Sequence, residues 1–230
     1  MNTIKCLDHG FVKLLNISSV IDDKELLEQA PAMSARISFD NFDEERTKEQ
    51  DMKLLEYLIK NRHNTPVEMT EIWLEMKLPI FLARQFVRHR TATINEVSGR
   101  YVTLPEEWYI PEVVGGKASN NKQGQEDNVD KETQSWFKFA LDHSCRANYE
   151  AYLMSLERGI APEHARMFLH VNHYTHWVWK QDLSNLMHFL SLRADKHAQI
   201  EARIYASAIY ALLCLHIPQT MLLFDKYKRT

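Results

Sequence analysis

Hydrophobic residues recur along the chain at spacings that distinguish helices from strands. Between residues 44 and 62 the apolar side chains stand three or four positions apart, which is typical of an amphipathic helix. Between residues 70 and 78 apolar and charged side chains alternate, which predicts a half-buried strand. The apolar positions are Met52, Leu55, Leu58 and Ile59 in the helix and Ile72, Leu74, Met76 and Leu78 in the strand.

The other predicted elements begin or end at prolines, a glycine and an aspartate. Proline fits the first turn of a helix, glycine its C-terminal cap and aspartate its N-cap. These signals predict a short helix from Pro79 to about residue 89, a long helix over 134–158 ended by Gly159 and a short helix opened by Pro162. They also predict a helix over 182–193 capped by Asp182 and a helix over 196–216 stopped by Pro218. The aromatic stretch over 171–179 is expected to be a strand. We therefore expect an α+β fold, a helix-rich single domain over residues 1–230 with a small mixed or antiparallel sheet.

Glycine is scarce, and the polar run from residue 115 to 133 holds three of the six glycines. This run predicts an exposed loop. The six glycines cannot be arranged into G-x-G-x-x-G or G-x-x-x-x-G-K-[ST] anywhere in the chain. A nucleotide bound here is therefore expected to be held by side chains or helix ends.

Charge and cysteine usage narrow the class of protein further. A net charge of −3 gives no general attraction to nucleic acid or to an anionic membrane. The longest nearly uninterrupted apolar stretch, residues 206–215, is shorter than the roughly 18 residues that a membrane span needs. The N-terminus lacks the apolar core of a signal peptide, and three widely spaced cysteines suit free thiols. A cytoplasmic protein is expected.

The densest group of polar side chains is the segment QFVRHRTATINEVSGRY, which begins at Gln85. A helix is expected to end in the consecutive bases Arg88, His89 and Arg90. Cations at a helix C-terminus complement its dipole, which by itself could explain the run. Arginine also binds phosphate with two parallel hydrogen bonds, and a nearby Ser98-Gly99 pair lets backbone amides approach an anion. The combination indicates a binding surface.

This segment resembles the signature of the flavin-dependent thymidylate synthases. The bases at 88–90, followed by seven residues and Ser98, reproduce R-H-R-x7-S. The resemblance extends, in the family's order, to SARISF at 34–39, HNTPVE at 63–68, EHAR at 163–166 and LSLRADKHAQ at 190–199. It spans about residues 8–217, and the polar loop at about 114–134 resembles an insertion.

The resemblance implies a homotetramer that binds FAD between subunits without a Rossmann domain. It implies reductive methylation of dUMP to dTMP, with 5,10-methylenetetrahydrofolate as carbon donor, NADPH as reductant and tetrahydrofolate released. In this family the flavin hydride reduces the transferred carbon, so the base is activated electrostatically and no cysteine nucleophile is required. No metal, nucleic acid or membrane partner is expected.

The uridylate contacts implied by the resemblance include two arginines, Arg100 and Arg166, that suit the 5′-phosphate. Ser98 is interpreted as a binding and orienting group, because no general base stands near it in the sequence. Arg193 is expected to stabilise the negative charge that forms when pyrimidine N3 loses its proton, although a helix-end cation alone would explain it. The full set is Gln85, Arg88, Glu96, Val97, Ser98, Gly99, Arg100, Arg166 and Arg193, with Arg193 and Ser98 as the catalytic candidates.

The flavin contacts implied by the resemblance include Thr65, whose hydroxyl also suits the N-cap of a helix. Helix N-termini favour pyrophosphate in general. The full set is Ser38, Thr65, Arg88, His89, Arg90, Asn95, Glu96, His188 and His197.

Several positions depart from the family's pattern. Asp182 and Ser184 stand where an Asn-x-Arg often touches the flavin, which should weaken the attraction of phosphate. His188 could compensate in part. Met69 stands where the family has a histidine, and His170 where it has a proline. These changes leave open a related one-carbon transfer to another pyrimidine nucleotide.

Three other interpretations remain open. His170, His173 and His176 are regularly spaced, but in an extended stretch His173 points away from the other two, so packing explains them better than a metal. The bases at 88–90 with the aromatic stretch 174–179 could form a nucleic-acid-binding module, against which the net charge counts. A degenerate family member with an oligomeric or regulatory role is the third.

Overall fold

The computed structural model describes residues 2–42, 46–118 and 125–227. In these residues the strands are β1 (Thr3–Cys6), β2 (Gly10–Ser18), β3 (Glu71–Pro79), β4 (Thr93–Glu96), β5 (Gly115–Lys117), β6 (Gln125–Asn128) and β7 (Tyr174–Asp182). The helices are α1 (Ala30–Arg36), α2 (Lys48–Lys60), α3 (Asn64–Glu68), α4 (Ile80–Phe86), α5 (Lys131–Glu157), α6 (Pro162–Ala165), α7 (Leu183–Arg193), α8 (Ile200–His216) and α9 (Pro218–Tyr227).

The main sheet has the strand order β1-β2-β3-β7-β4, and each neighbouring pair is antiparallel. Along β3 Ile72, Leu74, Met76 and Leu78 are buried, whereas Glu75 on the other face bonds Lys13 and His176 at 2.9 and 3.0 Å. The alternation read from the sequence therefore separates a core face from a polar face. The expected helix-rich α+β fold is confirmed, and the sheet is antiparallel.

Helices α7 and α8 cover the core face of the sheet. Phe189 of α7 makes edge-to-face contacts with Phe86 and Trp179, each with ring centroids 4.9 Å apart. Tyr205 of α8 donates a hydrogen bond from its hydroxyl to the carbonyl of Lys77 at 2.6 Å, which satisfies its buried polar end. Strand β7 is thereby packed against α7, and strand β3 is bonded to α8.

A smaller apolar cluster lies under α5 and includes Trp108 and two tyrosines of that helix. Tyr149 donates from its hydroxyl to the carbonyl of Leu104, and the hydroxyl of Tyr152 accepts from the amide of Leu104, both at 3.0 Å. Because the two tyrosines stand three residues apart, they share one helix face. The long helix thus anchors the loop that follows β4.

Helices α1, α2 and α3 form a compact corner. Arg36, the last residue of α1, forms a buried ion pair with Asp51 of α2. At the other end of α2, Arg62 has a left-handed φ of 57°, and the amide of His63 bonds the carbonyl of Leu58 at 2.9 Å. This is a Schellman ending, so α3 begins immediately afterwards.

The predicted strand over 70–78 and the helix over 182–193 are confirmed, and Asp182 caps α7 by accepting from the amide of Asn185 at 2.9 Å. The long helix also ends as expected, with Gly159 at φ 77°. The helix expected over 44–62 covers Lys48–Lys60, with residues 43–45 outside the described ranges. The aromatic strand lies three residues later than expected, over β7.

Three other local predictions hold only in part. The last helix does not begin at Lys196, because the Asp195 side chain accepts from the amide of His197 and holds a turn. Pro218 does not only stop a helix but also begins α9, since proline suits a first helical turn. The exposed loop predicted over 115–133 includes residues 119–124, which lie outside the described ranges. The described parts of this run form the paired strands β5 and β6 and the start of α5, which lack an apolar pattern by which to recognise them.

The described residues contain no helix that is both long and apolar enough to cross a membrane. The three cysteines are free, as expected, and Cys6 and Cys145 are buried. Burial raises the pKa of the Cys6 thiol to about 12, so this cysteine is inert at neutral pH.

Candidate functional site

A cavity of about 340 Å³ opens beside the end of β4, the start of α4 and the start of β7. This volume is typical of sites for small molecules, which run from roughly 300 to 1,000 Å³. Five residues of the uridylate set line it, together with residues from four other places in the chain. The five are Glu96, Val97, Ser98, Gly99 and Arg166, and the others are Ile80, Leu104, Leu169, Tyr174 and Thr175.

The loop after β4 forms one wall of this cavity. The amide of Val97 bonds the carbonyl of His176 at 2.8 Å, and the chain then turns, with the amide of Tyr101 bonding the Ser98 carbonyl at 3.0 Å. The hydroxyl of Ser98 accepts from the amide of Arg100 at 3.3 Å. In the described part of the chain no base is bonded to this hydroxyl, so Ser98 lacks the partner that a serine nucleophile needs.

Gly99 is buried in this loop because two side chains lie against it. A methyl group at this position would stand 3.2 Å from Leu104 Cδ1 and 3.5 Å from Arg166 Cδ. The stem of Arg166 therefore runs directly along the loop. Arg100 next to it lies 3.8 Å from the carboxylate of Glu163, with both side chains about half exposed. Such an exposed pair is weak, so Arg100 is able to turn to an anion.

On β7, the cavity is lined by two hydroxyl groups that already donate hydrogen bonds to carboxylates. Thr175, which is buried, donates a hydrogen bond from its hydroxyl to the carboxylate of Glu96. The hydroxyl of Tyr174 donates to the carboxylate of Asp8 at the β1–β2 turn. Burial, and then this hydrogen bond, raises the pKa of Tyr174, so its hydroxyl stays protonated at neutral pH.

The three consecutive bases lie in the turn between α4 and β4, not in the last turn of the helix as expected. Helix α4 ends at Phe86, and the amides of Arg88 and His89 close the turn onto the carbonyls of Gln85 and Phe86. Arg88 and Arg90 are exposed, whereas His89 is half-buried. The dipole of a helix acts mainly within its last turn, so the position of these bases favours binding over capping.

Arg193 ends α7 and contacts this turn. Its Nε donates to Nε2 of His89 at 3.2 Å, and its Nη2 donates to the carbonyl of Gln85 at 3.5 Å. Burial, and then the positive charges of Arg193 and His188, lowers the pKa of His89 from 6.5 to about 4. A neutral imidazole has one nitrogen free to accept, which matches the bond from Arg193. Burial also lowers the pKa of Arg193, but a guanidinium remains protonated in proteins.

Gln85 connects the same turn to α8. Its side-chain amide donates to the side-chain oxygen of Gln199. Gln85, Arg88, Arg100 and Arg193 do not line the 340 Å³ cavity, although Arg100 follows Gly99 in the loop beside it. A single chain therefore holds the uridylate set as two groups, one around the loop after β4 and one around Arg193.

A larger groove of about 680 Å³ runs between α1, α2 and α3. Ser38 and Thr65 of the flavin set line it, with Arg46 among the mainly apolar side chains. The rings of Tyr57 and His63 stack beside it, with centroids 5.6 Å apart and planes inclined by 15°. A flat aromatic wall with hydroxyl and guanidinium groups fits a large planar ligand with a phosphate-bearing arm, as FAD is.

The expectation that Thr65 caps a helix is wrong. Helix α3 begins at Asn64 with His63 at its N-cap position, and no side chain caps it. The Schellman ending of α2 places the chain in helical conformation two residues earlier than an N-cap at Thr65 would need. Thr65 lies exposed inside the helix, on the groove.

The other residues of the flavin set lie outside this groove. Asn95 is exposed in β4, where it pairs with Val178, so Asn95 and Glu96 lie in a strand and not in the expected loop. A four-residue edge strand with one apolar residue is defined by its partner β7, which local sequence does not reveal. His188 lies on α7 with its ring centroid 6.4 Å from that of His89, and His197 is exposed in the turn before α8.

The structure shows where the residues that depart from the family's pattern lie. Asp182 caps α7, so its carboxylate is used by the helix and is less able to repel a phosphate. Ser184 is buried in α7. Met69 is exposed on the 680 Å³ groove, where it adds apolar surface.

The three regularly spaced histidines are separated by the fold. Nε2 of His170 lies 2.9 Å from the side-chain nitrogen of Asn148, His173 is buried and stacked on Tyr149, and His176 bonds Glu75. His170 precedes β7, so it does not share a strand face with His176 as expected. The described residues include no cluster of three or more His, Cys, Asp or Glu side chains with metal-binding geometry.

Sequence reasoning missed Thr175, Gln199 and the tyrosine pair of α5 as residues that shape the site. Thr175 faces inward two residues before Trp177, so the alternation of β7 contains a signal for it. Gln199 stands within the LSLRADKHAQ stretch, but nothing in its spacing indicates a partner 114 residues away. Contacts of this range are set by the fold.

Comparison with protein families gives one match over most of the chain. The family described as "Thymidylate synthase complementing protein" matches residues 19–219. Curated relatives named flavin-dependent thymidylate synthase are similar over nearly the whole chain. The one from Gluconobacter oxydans (strain 621H) is 40% identical over 227 residues, covering 96% of this chain and 72% of the relative. The one from Wolbachia pipientis wMel is 40% identical over 225 residues, covering 97% and 76%.

Solved structures share the fold. The UMP/dUMP methylase PolB from Streptomyces cacaoi, bound with 5-Br dUMP, superposes with a TM-score of 0.84 at 25% identity, covering 99% of each chain. A second structure of PolB, bound with 5-Br UMP, has a TM-score of 0.83 at 24% identity, covering 99% of this chain and 98% of the other.

Proposed function

Since the chain belongs to the flavin-dependent thymidylate synthase family, we propose that its 340 Å³ cavity and its Arg193 group form the two halves of a dUMP site. Members of this family are methyltransferases that convert dUMP to dTMP with FAD, 5,10-methylenetetrahydrofolate and NADPH. The observation that carries the proposal is the cavity, since five residues of the predicted uridylate set line it.

The phosphate of dUMP is assigned to Arg100 and Arg166. Both side chains are exposed beside the buried Gly99, and Arg100 is held by a long contact with Glu163 and by a cation–π contact with the Tyr101 ring. Guanidinium groups bind phosphate oxygens with two parallel hydrogen bonds. Ser98, bonded to the Arg100 amide, orients the nucleotide and does not attack it. Glu96 and Val97 complete this wall, and Gln85 and Arg88 belong to the other half.

Arg193 activates the pyrimidine electrostatically. Its guanidinium is half-buried and held by two acceptors, His89 and the Gln85 carbonyl. Negative charge that develops on the base when N3 loses its proton is stabilised by such a fixed cation in a partly dry site. The neutral state of His89 leaves the positive charge of Arg193 uncompensated and available to the base.

FAD, when bound, supplies the hydride that reduces the transferred carbon. We assign the 680 Å³ groove with Ser38 and Thr65 to its planar part, and Arg88, Arg90 and His89 to its phosphates. Asn95, Glu96, His188 and His197 belong to the same set. The flavin residues of the groove and the other flavin residues lie on different parts of one chain. This separation supports sites built between subunits, which we place in a cytoplasmic homotetramer.

The reaction is tested on the purified protein loaded with FAD. We expect a yellow protein whose flavin is bleached by NADPH and becomes yellow again, without oxygen, when dUMP and methylenetetrahydrofolate are added together. Formation of dTMP is measured in the same sample, and UMP replaces dUMP in a parallel one. Protein that cannot be loaded with FAD would contradict the proposal. Turnover of UMP in preference to dUMP would instead assign the related reaction to another nucleotide.

A further inference from the structure

We propose that Gln199 is a positioning residue for the uridylate site. Its side-chain oxygen holds the amino group of the Gln85 amide and thereby presents the Gln85 carbonyl oxygen to the nucleotide. The inference rests on the proposed function, because it takes Gln85 as a contact of dUMP.

The contact itself determines which end of Gln85 stays available. Nε2 of Gln85 donates to Oε1 of Gln199, and both residues are half-buried. Among the described residues none donates a hydrogen bond to Oε1 of Gln85. A primary amide held in this way offers an acceptor, which suits an N–H or O–H donor of a nucleotide.

Helix α8 begins without the cap that its geometry allows. Gln199 is its N-cap residue, with φ −54° and ψ 138°, and its side chain bonds no amide of the helix. Thr47, Asp130 and Asp182 cap their helices, whereas α1, α3, α4 and α6 begin without a side-chain cap, as α8 does. Glutamine is a poor N-cap, and Ser, Thr, Asp and Asn are the preferred residues. The side chain of Gln199 is therefore used for its bond to Gln85 and not for the helix.

The start of α8 is linked to α4 through Tyr109, which gives Gln199 a support besides its own side chain. Glu201, two residues later, is buried and accepts from the hydroxyl of Tyr109 at 3.1 Å. The ring of Tyr109 lies 6.1 Å from that of Phe81, which stands one helical turn before Gln85 on α4. The peptide carbonyl of Gln85 accepts from Arg193. Backbone and side chain of Gln85 are therefore held from two directions.

The test separates positioning from stability, because Gln199→Ser should weaken dUMP binding without lowering the melting temperature. Serine is too short to reach Gln85 but is able to cap α8. We expect dUMP to bind the FAD-loaded enzyme about fivefold to tenfold more weakly, which is the effect of one lost hydrogen bond. The melting temperature should stay the same or rise by a few degrees. Gln219→Ser, at an exposed position of α9, is the matched control and should leave dUMP binding unchanged.

A double-mutant cycle assigns the effect to Gln85. In the Gln85→Ala background, Gln199→Ser should change dUMP affinity less than about twofold. Unchanged affinity in the single Gln199→Ser variant would overturn the inference, and so would a loss of similar size in the Gln85→Ala background or a fall in both affinity and melting temperature. Wild-type holoenzyme that binds no dUMP would overturn the proposed function first, and the inference with it.

Discussion

Arg193 illustrates how a single residue obtains its role from its neighbours. Cations at the ends of helices are common, and here the cation is half-buried and bonded to a neutral imidazole and a peptide carbonyl. A carboxylate in either place would neutralise the guanidinium. Two neutral acceptors orient it and leave its charge intact.

Replacing Arg193 tests this role directly. Arg193→Ala should retain bound flavin and lose about 10²–10³-fold in kcat, the usual loss when a group that stabilises transition-state charge is removed. Flavin absorbance and dTMP formation are measured on the same preparation. Arg203→Ala, at an exposed position of α8, serves as the control. Undiminished turnover in Arg193→Ala would remove this residue from the site.

The neutral state of His89 predicts a pH dependence of stability. Its pKa is about 4 in the folded chain against 6.5 in the unfolded one, so between these values the unfolded state binds more protons. The stabilisation is complete above pH 6.5 and is lost as the pH falls towards 4. The free energy of unfolding of wild type minus that of His89→Gln should therefore decrease as the pH falls from 6.5 to 4. Other titrating groups are common to both proteins, and a constant difference would contradict the assignment.

At the scale of elements, helix ends and helix contacts decide where the site residues stand. Because of the Schellman ending of α2, α3 begins earlier in the sequence than expected. Because of the turn held by Asp195, α8 begins later than expected, at residue 200. The start of α3 differs from the sequence prediction by two residues and the start of α8 by four. Such boundaries depend on side-chain and backbone bonds that compete with the helix, which hydrophobic spacing does not register.

The buried Arg36–Asp51 pair joins α1 to α2 and thereby shapes the 680 Å³ groove. Asp51→Ala should lower the free energy of unfolding by about 3–5 kcal/mol, because it removes one partner of a buried ion pair. Denaturant unfolding with and without FAD measures both stability and groove integrity. The control is Glu49→Ala, which removes an exposed ion pair with Lys53 on the same helix and should have no measurable effect. Equal effects of the two substitutions would show that burial of the pair is unimportant.

At the scale of the whole molecule, one chain divides the uridylate set between the cavity and the Arg193 group. Exposed apolar residues such as Tyr101, Val102 and Met167 surround the cavity loop. In the site that we propose between subunits, a second subunit covers these residues and brings its own Arg193 group to the cavity. The assembly would then complete the site.

Mixing two inactive variants tests this arrangement. Arg166→Ala and Arg193→Ala affect different groups, so in co-expressed mixed tetramers about a quarter of the sites should combine two intact groups and recover activity. Sedimentation should give a particle of four chains of 27.1 kDa each. Mixed tetramers that remain as inactive as either variant would contradict sites shared between subunits.

The amino-acid sequence by itself determined the α+β class, the alternation of β3, the cap at Asp182 and the segment that carries the signature. These features are local, since each depends on residues a few positions apart. Only the tertiary structure decided that Arg193 meets His89, that Gln199 holds Gln85, that Thr175 bonds Glu96 and that the tyrosines of α5 anchor the loop after β4. Each of these contacts joins residues at least 45 positions apart, so it exists only once the sheet order and helix packing have formed.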